Sequence, residues 1–175
     1  MHWLRNLFGG RRMAALSTGT LAPDFTLPTM DGKQFSLKKS LSRGPVLAAF
    51  FKISCPVCQF AFPFLERIHK AYPTLTIVGV SQNEQKGTAS FIKEYGITFP
   101  VLLDDTNMYP VSNAYGLTNV PSIFWIEPDG EIEISSVGWM RKEIEEINQK
   151  AAALTHSKPR PVFAPGENVP EFQAG

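Results

Sequence analysis

The stretch Pro45-Val46-Leu47-Ala48-Ala49-Phe50-Phe51-Lys52-Ile53-Ser54-Cys55-Pro56-Val57-Cys58 contains a change of period. Its first seven residues are almost continuously apolar between Gly44 and Lys52, the pattern of a strand buried on both faces of a sheet. Directly afterwards Val57, Phe60, Phe64, Leu65 and Ile68 recur at three- and four-residue spacings. That predicts an amphipathic helix over 56–72, ending before Pro73. Two cysteines sit at the junction, where a strand hands over to a helix.

Outward from this junction the chain alternates strand and helix. Upstream, Phe25 to Leu27 and Gln34 to Leu37 flank Asp31-Gly32, a turn pair that predicts an N-terminal β-hairpin. Downstream, Leu75 to Val80 reads as a second buried strand, Thr88 to Tyr95 as a short helix closed by Gly96, and Pro100 to Leu103 as a third extended segment. Asn113 to Gly116 reads as a turn. Ser122 to Ile126 and Ile132 to Val137, joined through Asp129-Gly130, read as an antiparallel hairpin before a last helix over 140–154. Asn83, Glu84, Gln85 and Lys86 read as a solvated connection, and Trp125 and Trp139 as core or surface aromatics. The order predicts an α/β fold with a central mixed sheet flanked by helices.

Composition excludes several classes of function. The chain has 175 residues, 43% hydrophobic and 19% charged, enough for one domain that buries roughly 70% of its unfolded surface. A net charge of +1, with little clustering of Lys and Arg, is too small a basic excess for a nucleic-acid partner. The longest apolar run, Val46 to Phe51, falls far short of the roughly 18 residues a spanning helix needs, so no integral membrane segment is expected.

The termini differ from the middle. Trp3, Leu4, Leu7 and Phe8 stand beside Arg5, Arg11 and Arg12, but only Met13 to Leu16 follow as apolar residues, too few for a secretory signal. Residues 1–20 therefore read as a flexible leader, 21–155 as the domain, and a cytoplasmic location is expected. Pro159, Pro161, Pro165 and Pro170 mark 156–175 as a Pro-rich C-terminal tail, with Phe163, Val169 and Phe172 apolar enough to pin it against the domain.

The two cysteines are the only ones in the chain, so the fold does not depend on a disulfide framework. At the start of a helix, first-turn N–H groups without internal partners point at the Cys55 sulfur and favour its thiolate. Pro56 suits the first turn, where its missing N–H is not needed. Cys58 follows one turn behind on the same face, placed to resolve a mixed disulfide. Three other readings stand beside this one: a structural disulfide whose short loop contributes only about 2 kcal/mol, a zinc site, and a pair of buried reduced thiols. Zinc lacks ligands, because His69 lies about 16 Å along the helix from Cys58.

Cys55-Pro56-Val57-Cys58 at a strand-to-helix junction, Pro63 five residues after Cys58, and Val120-Pro121 entering a strand resemble the thioredoxin-like superfamily. Ala22-Pro23-Asp24-Phe25-Thr26-Leu27, Val78-Gly79-Val80-Ser81, Phe99-Pro100-Val101-Leu102 and Val120-Pro121-Ser122-Ile123-Phe124 are similar to its redoxin branch. That branch groups alkyl hydroperoxide reductase and thiol-specific antioxidant proteins with the thioredoxin-like reductases of cytochrome maturation. The resemblance covers about Ala22 to Leu154. It implies a cis peptide before Pro121 facing the cysteines, with the Val120 backbone free to pair with an extended substrate segment, and a kink in the helix at Pro63.

Departures from the pattern separate the activities. Peroxidases of the branch carry a Thr three residues before the attacking Cys and an Arg on a later strand; here Lys52 and Pro121 occupy those positions. Ser54 replaces the Trp usual before the first Cys, and Ala49 and Ala61 stand where relatives place a carboxylate that takes a proton. Lys52 is left to assist Cys55 by its charge. The expected function is a thiol–disulfide oxidoreductase with Cys55 attacking, Cys58 resolving, and Val120 and Pro121 holding the substrate. It needs no metal or organic cofactor. Its partners are a protein or small-molecule disulfide and a reductase or oxidant that resets the pair. The alternatives are a peroxiredoxin-like thiol peroxidase and a non-enzymatic copper-binding thioredoxin-fold protein.

Overall fold

Residues 15–175 are described by a computed structural model. Its elements run in the order β1 (Thr26–Pro28), β2 (Gln34–Ser36), α1 (Leu37–Leu41), β3 (Val46–Phe51), α2 (Pro56–Ala71), β4 (Thr76–Ser81), α3 (Gln85–Tyr95) and β5 (Val101–Leu103). They continue with α4 (Pro110–Ala114), β6 (Ser122–Ile126), β7 (Ile132–Val137), β8 (Trp139–Met140), α5 (Arg141–Leu154) and β9 (Phe172–Gln173).

The apolar run that lacks alternation is the middle strand of a five-stranded sheet of order β5-β4-β3-β6-β7. All six residues of β3 are buried because both faces are covered. Leu47, Ala49 and Phe51 face a core shared with α2, α3 and α5, while Val46, Ala48 and Phe50 face one shared with α1 and the N-terminal hairpin. The sheet is mixed: β3 is parallel to β4 and antiparallel to β6, and β6 is antiparallel to β7. The register sets Phe50 of β3 opposite Ser122 of β6, so the C-terminal end of β3 and the beginning of β6 lie at the same end of the sheet. The loops carrying Cys55 and Pro121 meet there.

Two short helices are absent from the sequence-based reading. In α1, Ser36 caps the first turn, accepting from Lys39 N at 3.3 Å, but five residues are too few for a period to show. Asn113 and Ala114, read as the start of a turn over Asn113 to Gly116, instead end α4 (Pro110–Ala114), whose first-turn donors are satisfied by the buried Asp104. Its carboxylate accepts from Ser112 N at 2.8 Å and Val111 N at 3.3 Å. A cap six residues ahead of its helix has no local signature. The third helix begins at Gln85, before the expected Thr88, because its first turn is polar, and it ends at Gly96 in the left-handed conformation (φ 65°). Helix α2 continues through Pro63 to Ala71.

The ends are tied down more closely than expected. The apolar and basic stretch from Trp3 to Arg12 lies outside the described residues, but Leu16 N donates to Tyr115 O, Ser135 Oγ to Leu16 O, and Gly19 N to Ile132 O. In the Pro-rich segment Val162 and Val169 are buried and Phe163 packs on Phe64 and Trp139. Phe172 does not act as an apolar pin: it is 57% exposed, and its backbone holds that end through β9 pairing with β8. Trp125 and Trp139 are core residues.

Candidate active site

Cys55 is the residue that caps α2. Its backbone is extended (φ −84°, ψ 114°), and its Sγ accepts the Cys58 N–H at 3.1 Å, taking the place of a capping hydroxyl. One donor that the helix cannot use internally is thereby aimed at sulfur. Pro56 fills the first helical turn, as expected. Both cysteines are free thiols with unlike surroundings: Cys55 is half-buried, Cys58 has no exposed surface. Burial pushes the Cys58 thiol far above its ordinary range, and the adjacent Cys55 sulfur adds to that shift. The outer sulfur meets solvent; the inner one holds its proton.

The loop before Cys55 is clamped on two sides. Asn83 Oδ1 accepts from Ile53 N at 2.9 Å, and Gln59 Nε2 donates to Ile53 O at 2.9 Å. Asn83 is itself held by its N–H to Ser81 Oγ at 3.0 Å, and that hydroxyl pairs with Thr88 Oγ1 at 2.7 Å inside the protein. The expectation of a solvated connection holds for the exposed Glu84, Gln85 and Lys86 and is corrected at the half-buried Asn83. Asn83 anchors the loop, and Gln85 and Lys86 belong to α3. The contact spans thirty residues, so no local pattern could have revealed it.

Val120 and Pro121 are brought to the cysteines, as expected. Their peptide bond is cis, and Cys55 Sγ donates to Val120 O at 3.4 Å. The Val120 backbone is not free, however, which corrects the second half of that expectation. Gly175 lies against it, so close that a Cβ built on Gly175 would overlap Val120 O and stand 2.9 Å from the carbonyl carbon. Asn119 Nδ2 donates to Gly175 O at 3.0 Å.

Lys52 reaches Cys55 through its backbone, accepting from Cys55 N at 3.2 Å. Its exposed side chain lines a cavity of about 210 Å³ together with Gln82, Tyr109, Asn119 and Val120. Ala49 and Ala61 are fully buried, and the carboxylate of Glu66, farther along α2, is engaged by Thr98 N and Oγ1. Glu127, at the far end of β6 from Pro121, accepts from Trp125 Nε1 and pairs with Lys150. Among the described residues no three His, Cys, Asp or Glu side chains form a group that could hold a metal ion.

A half-exposed sulfur capping a helix, a sealed second sulfur one turn behind, and a carbonyl over the first form an arrangement suited to thiol exchange. Comparison with known proteins agrees. The chain is 30% identical over 132 residues to the thiol-disulfide oxidoreductase ResA of Geobacillus thermodenitrificans, covering 74% of each. It is 30% identical over 141 residues to the ResA of Bacillus subtilis, covering 79% of this chain and 76% of that one. The thioredoxin domain of a thiol-disulfide oxidoreductase from Bacteroides vulgatus superposes with a TM-score of 0.69 at 24% identity, over 78% of this chain and 98% of that one. That likeness establishes the thioredoxin-like fold. The model of the AhpC/TSA family matches residues 18–135, from the N-terminal attachment to the last strands of the sheet, and the chain belongs to that family.

Proposed function

We propose that the chain is a thiol–disulfide oxidoreductase that works from its dithiol form as a reductant of protein or small-molecule disulfides. The observation that carries this reading is the asymmetric pair: Cys55 half-exposed and bonded to the Cys58 N–H at 3.1 Å, Cys58 wholly buried behind it. The Cys55 thiolate attacks one sulfur of the substrate disulfide. A new S–S bond forms, the substrate S–S bond breaks, and the departing sulfur takes up a proton. Cys58 then gives up its proton and attacks Cys55 Sγ, which releases the second substrate thiol and leaves a Cys55–Cys58 disulfide. Two electrons pass to the substrate, and a partner reductase restores the dithiol.

The decisive experiment is thiol trapping of the Cys55/Cys58 couple across graded dithiol or glutathione buffers. A reversible two-electron couple near or below about −270 mV sustains the reductase, and one near about −120 mV reverses the direction to oxidant. Absence of a reversible couple overturns the reading and sends attention to peroxide turnover. For that reaction Lys52 and Pro121 stand where peroxide-reducing relatives place a Thr and an Arg.

A further inference from the structure

The strip beside Cys55 is already occupied. β8 and β9 pair antiparallel, Trp139 with Gln173 and Met140 with Phe172. The approach to β8 is fixed on the other side, where Gly138 N donates to Pro121 O at 2.8 Å. Gly138 has a positive φ of 75°, and a Cβ there would stand 2.5 Å from Gln173 O and 3.1 Å from Gly175 N. The backbone of 173–175 thus passes between Gly138 and Val120, with no space for a Cβ at Gly138 or at Gly175. Gly175 O accepts from Asn119 Nδ2, and Gly175 lies against the carbonyl oxygen that Cys55 Sγ also contacts.

The segment behind residues 172–175 is held by buried apolar groups and side-chain bonds, and residues 172–175 themselves, the tip, by a two-residue ladder and one bond from Asn119. Arg67 grips Glu167 with two bonds of 2.7 and 2.8 Å, Trp139 Nε1 donates to Pro170 O at 2.7 Å, and Val162 and Val169 are buried. Residues 171–175 are all exposed. An exposed two-residue ladder opens at low free energy, while an anchor a few residues away keeps the tip at high local concentration.

We propose that Phe172–Gly175, laid along Asn119, Val120, Gly138 and β8, acts as an internal competitor for the extended partner backbone that the thioredoxin-like resemblance places against Val120. The inference rests on the oxidoreductase reading, since the competitor matters only if Cys55 must meet a partner's disulfide. A small disulfide needs little of the strip. A protein disulfide with extended flanking chain needs all of it, and reacts only in molecules whose tip has lifted.

The test compares the full chain with a variant lacking residues 172–175 and with Gly175→Val, in which the side chain would collide with Val120 O. Turnover is followed with insulin as the protein disulfide and with a dithiobis-nitrobenzoate probe as the small one. If about a tenth of molecules have the tip lifted, both variants gain about tenfold in kcat/KM for insulin. The small probe and the reduction potential change little, and a peptide of sequence Val-Pro-Glu-Phe-Gln-Ala-Gly, added to the shortened variant, slows insulin reduction again. Equal or lower insulin turnover in both variants, with the potential and thermal midpoint intact, overturns the competitor. Absence of a reversible couple in the full chain overturns the oxidoreductase reading, and this proposal with it.

Discussion

Cys55 Sγ donates to the carbonyl oxygen of Val120 at 3.4 Å across sixty-five residues of chain. Behind it, Cys58 N donates back to the same sulfur. One sulfur therefore joins the start of α2 to the loop that enters β6, and whatever approaches Cys55 must also approach Val120.

From this follows an unequal response to substitution. Cys55→Ser removes the exposed sulfur and should abolish disulfide reduction. Cys58→Ser leaves the first attack intact but nothing to resolve it, so a mixed disulfide on Cys55 should accumulate and be seen by intact-mass spectrometry after exposure to substrate. Mixed disulfide on Cys58 in the Cys55→Ser variant would reverse the two roles.

The burial of Cys58 sets a pH dependence. Its thiol is raised above the ordinary value of 9.0, so the folded state keeps a proton that the unfolded state gives up above that pH. Stability from this group is fully present below pH 9 and declines above it, with a slope approaching about 1.4 kcal/mol per pH unit for one proton. Denaturant unfolding of the reduced protein between pH 8 and 10.5, compared with Cys58→Ala, isolates the effect, because the variant should lose that part of the slope.

Asn83 is predicted to position the loop that carries Cys55. Asn83→Ala leaves the Ile53 N–H without its acceptor and should cost about 1 kcal/mol. Faster hydrogen exchange at Ile53 and a lower rate of Cys55 alkylation should accompany it. Asn83→Asp retains an acceptor and should restore most of the protection; no change at Ile53 in the alanine variant would remove Asn83 from this role.

The Pro-rich segment should detach in acid. Two bonds from Arg67, with a further one from Ala164 N, draw the Glu167 carboxyl down to about 2. Attachment through this pair is therefore complete above the ordinary value of 4.5 and weakens as pH falls from there toward 2. The pair is partly exposed, so salt weakens it as well. Limited proteolysis with pepsin should cut within 157–171 faster as the pH drops through this range. Arg67→Ala should be cut quickly throughout, losing the pH dependence.

Much of the fold was legible because its signals are local. A six-residue apolar run between turn signals has the pattern of a strand covered on both faces, and three- and four-residue spacings after it present one apolar face as a helix. The site was legible to the same depth: a cysteine at the first turn of a helix has unpaired N–H groups beside it wherever that helix lies. The helices α1 and α4 were not legible, since five residues are shorter than the period that would show them. Asn83 was not legible either, because a polar residue after a strand has the same local pattern whether it points at water or at Ile53.

Local pattern therefore placed two thiols where a buried strand meets a helix start, and set the order in which strands and helices follow. Folding of distant segments against one another set what stands over those thiols. It brought Val120 to Cys55, made Asn83 a clamp, and laid Gln173 to Gly175 between Gly138 and Val120. The physical reason is the range of the interactions. Periodicity and capping act within one or two turns of chain, whereas these contacts depend on which faces of the sheet are covered, and that is settled only when distant segments bury their apolar surfaces together.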